Sequence, residues 1–239
     1  MSSAEALADL HQLALRLRRD CPWDREQTAQ TIVPHTVEEA YEVADAALAE
    51  DSAKLVDELG DLLYQVVFLA LLLEENNLGN LELVARSIHD KLVRRHPHVF
   101  GDVEAETAGR VRENWERIKV REDDALFAGI SRSLPALVFA RKVQQRSAGI
   151  GFEYEDAAGA LGDLEEEVAE LRAAAPGRSF EELGDVLFAA VNTGRKLGAD
   201  PELALRQATS RFVERVETAE RLAADELVVD AARDELEVS

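Results

Sequence analysis

The sequence predicts an all-α protein built as a tandem pair of helical bundles. Three observations predict it. Glycine (13) and proline (6) are scarce in 239 residues, apolar residues recur at helical spacing, and an ordered set of motifs occurs twice. The only competing strand pattern, Leu227-Val-Val, is short and lies in an acidic C-terminal stretch.

Four helices are expected before residue 100. The first runs from about Glu5 to Arg18, with Leu7, Leu10, Leu13 and Leu17 on one face and a Ser2/Glu5 capping box at its start. The second runs from about Val37 to Ala49, after Pro34, with Thr36 as its cap. The third spans about Ala53 to Glu75 and stops at Asn76, Asn77 and Gly79. The fourth spans about Leu81 to Arg95 and ends at Pro97.

The same order then returns. Glu38-Glu39-x-x-Glu42 recurs as Glu166-Glu167-x-x-Glu170, Glu58-Leu-Gly-Asp61 as Glu182-Leu-Gly-Asp185, and Lys91-x-x-x-Arg95 as Arg211-x-x-x-Arg215, at offsets of 128, 124 and 120. Shrinking offsets are what shorter loops in the second copy would produce. The stretch from about Gly101 to Pro135 is expected to join the copies as a helical connector, Trp115 to Lys119 being its helical patch. The expected domains are residues 1–120 and 136–239, with residues 121–135 as connector.

Charge excludes several function classes. With 27 Lys+Arg against 48 Asp+Glu, the net charge of −21 disfavours binding to nucleic acid or anionic membranes. A 46% hydrophobic fraction argues against disorder. The single cysteine, Cys21, allows no internal disulfide, which fits a reducing cytoplasm. Residues 1–20 lack a signal-type apolar core. The most apolar run, Leu62 to Leu73, contains Gln65 and falls short of the ~20 residues a bilayer span needs.

The carboxylates carry the chemistry. Glu39 and Glu42 share a helix face, as do Glu58 and Asp61. If the two helices are antiparallel neighbours, four anions converge, and a cation must offset their repulsion. Oxygen-only ligands suit Mg²⁺, with Mn²⁺ as a substitute. Glu167, Glu170, Glu182 and Asp185 repeat the set.

The ordinary readings are solvated acidic faces and helix caps, Thr36-x-x-Glu39 in one copy and Ser179-x-x-Glu182 in the other. Each cap is missing from the opposite copy, where Leu164 and Leu55 stand. Glu58 and Asp61 also interrupt an apolar helix, a costly place for unpaired acids. A metal site is therefore favoured.

Each copy adds three bases at matching places: Lys54, Lys91 and Arg95, then Arg178, Arg211 and Arg215. Carboxylate-held metal plus bases is what a polyphosphate needs. For Lys54 alone, an i,i+4 ion pair with Glu58, worth ~0.3–0.5 kcal/mol, is at least as good an explanation.

These residues resemble the MazG nucleoside triphosphate pyrophosphohydrolases. The resemblance rests on Cys21-Pro-Trp-Asp-Arg-Glu-Gln-Thr28, Glu38-Glu-Ala-Tyr-Glu42, Glu58-Leu-Gly-Asp-Leu-Leu63 and Arg94-Arg-His-Pro-His-Val-Phe100. Ser133-Leu-Pro-Ala-Leu137 and Gly151-Phe152 add to it, and it covers about residues 7–220. It implies two tandem all-α pyrophosphohydrolase domains, normally assembled as a dimer. It implies Mg²⁺-dependent cleavage of nucleoside triphosphates between the α and β phosphates, a broad base range and a role in clearing nucleotide pools. The family's metal ligands fall on the eight carboxylates above, and its phosphate-side bases on the six basic residues.

Two departures stand out. The family's Asn-x-Lys-Phe reads Thr209-Ser-Arg-Phe212 here, and nothing aromatic follows Phe212, where longer members carry a tryptophan. Apolar faces beyond one bundle's needs also suggest a homodimer. Trp23 and Tyr154 are either packing anchors or nucleobase contacts. Two rivals are weaker. A di-iron bundle needs Glu-x-x-His pairs, which none of the five histidines supplies. A non-catalytic helical module that engages a basic partner would spread its carboxylates along exposed faces rather than pair them on apolar helices; the alternative within the resemblance is that one or both repeats are non-catalytic and act as a metal- or nucleotide-binding regulatory module.

Overall fold

The computed structural model describes residues 1–101, 103, 107–122 and 125–237. The chain divides into two compact units, Met1–Ala105 and Glu106–Ser239. No strand occurs among the described residues. No helix among them is long and apolar enough to cross a membrane.

In the first unit, α1 (Ser3–Asp20) starts with the expected capping box. Ser2 Oγ accepts from the Glu5 amide at 3.3 Å, while Glu5 accepts from the Ser2 amide at 2.6 Å. A short α2 (Pro22–Glu26) leads into α3 (Ala29–Leu48). Asp51 then caps α4 (Ser52–Glu75), accepting from the amides of Ala53 and Lys54 at 3.1 and 3.0 Å. At its far end Asn77 turns left-handed at φ 56°, and the Leu78 amide bonds back to Leu73 O, closing the helix as a Schellman motif. Helices α5 (Leu81–Arg95) and α6 (Pro97–Phe100) follow.

Helices α3 and α4 form the main hairpin, and α1 packs on α4. The core lies along the C-terminal half of α4. Ala14, Val67 and Leu71 form one cluster, and Ile32, Phe68 and Leu72 another. The N-terminal half of α4 is thereby left to its acidic and exposed apolar residues.

One start differs from expectation. Helix α3 begins eight residues before Val37, with Thr28 as its cap and Pro34 inside it. Thr36 is consequently mid-helix, its hydroxyl bonded to Ile32 O at 3.3 Å. Pro34 is the sixth residue of the helix, beyond the unpaired amides of the first turn, so it costs α3 the backbone bond that the Gln30 carbonyl would otherwise accept.

The second unit contains α7 (Ala108–Glu122), α8 (Ala136–Ala148), α9 (Ala157–Ala173), α10 (Ser179–Lys196) and α11 (Pro201–Glu237). Helix α7 contains the helical patch expected around Trp115, and Leu227-Val-Val is part of α11. Helices α9 and α10 form the hairpin corresponding to α3 and α4. Helix α8 packs on α10, and α11 touches both α8 and α10. Two side-chain bonds lock this bundle. Thr193 donates to Ala160 O at 3.0 Å, and Gln144 Nε2 donates to Phe188 O at 2.8 Å.

Candidate metal centres in the two hairpins

In the first hairpin, carboxylate oxygens of Glu39, Glu58 and Asp61 all lie within 4.8 Å of one another. Glu39 comes from α3, while Glu58 and Asp61 sit three apart on α4. Glu58 is only 8% exposed. Glu42, one turn beyond Glu39, lies close enough to raise the Glu58 carboxyl. In the second hairpin, oxygens of Glu167, Glu182 and Asp185 meet within the same 4.8 Å, with Glu182 just 4% exposed. Glu170 lies close enough to bear electrostatically on Glu167 and Arg178.

Neither capping explanation survives. Thr36 is too deep in α3 to be a cap, and α10 starts after Arg178 with no side-chain cap bond, so Ser179 does not hold Glu182 to a helix end. The acids converge without one.

The electrostatics register the crowding. Burial, then the charges of Asp61, Glu42 and Glu38, push the Glu39 carboxyl above its ordinary value. Glu58 rises through burial, then through Glu42, and Lys54 opposes this. Glu167 rises through burial, then Asp185 and Glu170. A cluster that resists ionising and offers only carboxylate oxygens fits a hard divalent cation, which neutralises it.

The basic residues separate into two groups. Lys54 Nζ lies 3.8 Å from Glu58 Oε1, and Arg178 Nη2 lies 2.8 Å from Glu182 Oε1. Lys91 and Arg95 are one turn apart on α5, and Arg211 and Arg215 on α11, with the Arg215 guanidinium 5.7 Å from the centre of the Phe212 ring. Neither Lys91 nor Arg211 has an ion-pair partner among the described residues. Glu38 and Glu166 are exposed, and Glu38 pairs with His35 at 3.7 Å. Trp23 is exposed, with an edge contact to His35, so it is not a buried anchor.

Motif reading did not find a pocket of about 530 Å³ beside the second triad. Glu167, Gln144, Phe152, Tyr154, Phe188 and Asn192 line it. Its walls come from α8, α9, α10 and the loop between α8 and α9. Of these, Glu167, Phe152 and Tyr154 carry a signal in the sequence, and Gln144, Phe188 and Asn192 do not.

Paired helices that each contribute acids to one cluster define an all-α class of domain competent to hold a divalent ion. Comparison with known proteins narrows the class. The model of the MazG nucleotide pyrophosphohydrolase domain matches residues 27–100. The nucleoside triphosphate pyrophosphohydrolase of Escherichia coli K12 is 40% identical over 235 residues, covering 94% of this chain and 89% of its own. The nucleoside triphosphate pyrophosphohydrolase/pyrophosphatase MazG of Thermotoga maritima is 41% identical over 213 residues, covering 87% and 82%. The nucleoside triphosphate pyrophosphohydrolase of Mycobacterium tuberculosis is 32% identical over 151 residues, covering 62% of this chain and 46% of its own. The chain belongs to the MazG family.

Proposed function

We propose that this chain is a Mg²⁺-dependent nucleoside triphosphate pyrophosphohydrolase, which splits its substrate between the α and β phosphates to a nucleoside monophosphate and pyrophosphate. A broad base range and a housecleaning role in the cytoplasm belong to the same reading, as do domains bounded near residues 120 and 136. Family membership supports the enzyme class, a hydrolase acting on nucleoside triphosphates. The observation that carries the reading is the recurrence, in both hairpins, of a three-carboxylate cluster with oxygens within 4.8 Å.

Glu39, Glu58 and Asp61 would hold the ion in one unit and Glu167, Glu182 and Asp185 in the other, with Glu42 and Glu170 completing each set. Bound there, a divalent ion supplies a more acidic water and polarises the attacked phosphoryl group. The protein's own groups do the rest. Lys54 and Arg178 release their carboxylate partners and turn to the phosphates. Lys91, Arg95, Arg211 and Arg215 offset the charge that grows on the departing pyrophosphate.

The working state is a homodimer. Val56, Leu59, Leu63 and Val66 form an exposed stripe on α4, and Phe180, Leu183 and Leu187 form the matching stripe on α10. Exposed apolar stripes at equivalent positions of both copies suit burial against a second chain.

The test is product analysis with Mg²⁺ and a panel of nucleoside triphosphates. Monophosphate plus pyrophosphate is expected, whereas diphosphate plus phosphate would refute the bond assignment.

A further inference from the structure

We propose that the pocket beside the second unit's triad receives the nucleobase, with Gln144 and Asn192 reading its edge. The proposal rests on the function argued above and names where that substrate's uncharged part is held.

Position is the first argument. Glu167 belongs both to the triad and to the pocket wall, so a ligand whose phosphates meet the triad has its nucleoside at the pocket mouth. A volume of about 530 Å³ is in the range of small-ligand sites.

The walls suit a flat aromatic ring. Phe152, Tyr154 and Phe188 line the pocket, and Phe152 is 81% exposed. Aromatic faces left to solvent beside an anion-handling site are stacking platforms for bases. The loop that carries two of them is fixed. Lys196 Nζ donates to Tyr154 O at 2.6 Å, and the Tyr154 hydroxyl donates to Asp163 at 2.7 Å.

The polar groups are arranged for a neutral ligand. Arg195 is the cation lining the pocket, and Glu153 already compensates it at 2.5 and 3.1 Å. Arg195 also holds Asn192 Oδ1, at 2.6 and 3.2 Å, which leaves the Asn192 NH₂ as the end open to other partners. Gln144 is 7% exposed and spends its NH₂ on Phe188 O, so its amide oxygen is buried without a partner. One free acceptor and one amide donor match a base edge that presents an N–H next to an acceptor.

The first unit lacks these groups. At the offset of 124 that relates α4 to α10, Asn192 and Arg195 correspond to Phe68 and Leu71, both buried in core clusters. Base reading of this kind therefore belongs to the second unit.

The experiment is calorimetric binding of AMP and of inorganic tripolyphosphate, with Mg²⁺, to the full chain and to Phe152→Ala and Gln144→Met. Phe152 is so exposed that its truncation leaves folding intact. Both variants are expected to bind AMP about tenfold more weakly and tripolyphosphate unchanged. Purine riboside monophosphate, which lacks the amino group, should bind wild type and Gln144→Met alike, and 2′,3′-dideoxy-AMP should still feel the substitution. A Gln144→Met penalty that vanishes with the dideoxy compound assigns the contact to the ribose and overturns base reading. Unchanged AMP binding by Phe152→Ala, or a parallel loss of tripolyphosphate, overturns the pocket assignment. Absence of triphosphate turnover by the wild type would fault the hydrolase reading and leave these binding results standing.

Discussion

The guanidinium of Arg178 lies 2.8 Å from the Glu182 carboxylate, while its counterpart Lys54 stands 3.8 Å from Glu58. Each base sits four residues before its acid, so the helix dictates both pairings, and only reach differs. The acid is buried in each pair and the base is more than half exposed. The base therefore has room to move, while the acid is fixed in the cluster.

Removing the acid charge separates function from stability. The double variant Glu58→Gln, Glu182→Gln is expected to release pyrophosphate at least about a hundredfold more slowly than wild type, with unchanged helicity by circular dichroism. Glu58→Gln alone should melt no lower than wild type in EDTA. Burial and Glu42 raise the Glu58 carboxyl, so its ionised form opposes folding at pH 7. Full turnover by the double variant would sink the assignment.

Mg²⁺ should raise the melting temperature of the wild type and not of the double variant, as followed by scanning fluorimetry. An ion bound only by the folded chain adds about 2.7 kcal/mol at a hundred times its Kd. An equal rise in both proteins would place the ion elsewhere.

Lys91→Gln and Arg211→Gln should lower kcat and kcat/KM for the triphosphate several-fold without shifting the melting temperature, since neither side chain has an ion-pair partner among the described residues. Steady-state kinetics beside thermal melts decide it. A change in melting temperature with unchanged kcat/KM would make the residues structural.

Glu153 gives a pH signature. Burial alone would raise its carboxyl, but hydrogen bonds from Arg195 and Lys196 carry it below the ordinary value. The folded form thus holds its proton less tightly than the unfolded chain. The associated stability is complete above the ordinary carboxylate range and is lost as pH falls through the lower folded value. Water still reaches part of the side chain and screens the pair, so Glu153→Gln should be destabilised by roughly 1 kcal/mol at pH 7, with the deficit shrinking below about pH 4. A deficit independent of pH in urea titrations would mean that packing, not charge, is what the substitution removes.

Leu63→Lys and Leu187→Lys place charge in the two exposed stripes and should shift a dimer toward monomer in sedimentation, with little change in helicity. Wild type sedimenting as a monomer would remove the dimer from the reading.

Much of this was legible in the sequence because it is local. The Ser2 cap, the stop at Asn77 and the carboxylate pairs at i,i+3 follow from helical periodicity, and duplication singled out the acids that each hairpin brings together. What escaped depends on context. Pro34 reads as a boundary, yet α3 starts upstream at the Thr28 cap and carries Pro34 in its second turn at the loss of one backbone bond. The pocket escaped because the bond that shapes it joins Gln144 to Phe188, residues 44 apart, and no spacing rule connects them.

Pro34 also affects the two hairpins unequally. Lacking an N–H, it leaves the Gln30 carbonyl without the usual i+4 donor, so the opening of α3 is held mainly by the Thr28 cap and buried Ile32. The corresponding position in α9, at the offset of 128, is Gly162, which keeps its amide. Deuterium uptake should reach the backbone around residues 29–33 before it reaches the segment that bears Glu39 and Glu42. The first hairpin can then fray at its tip while its acids keep their register.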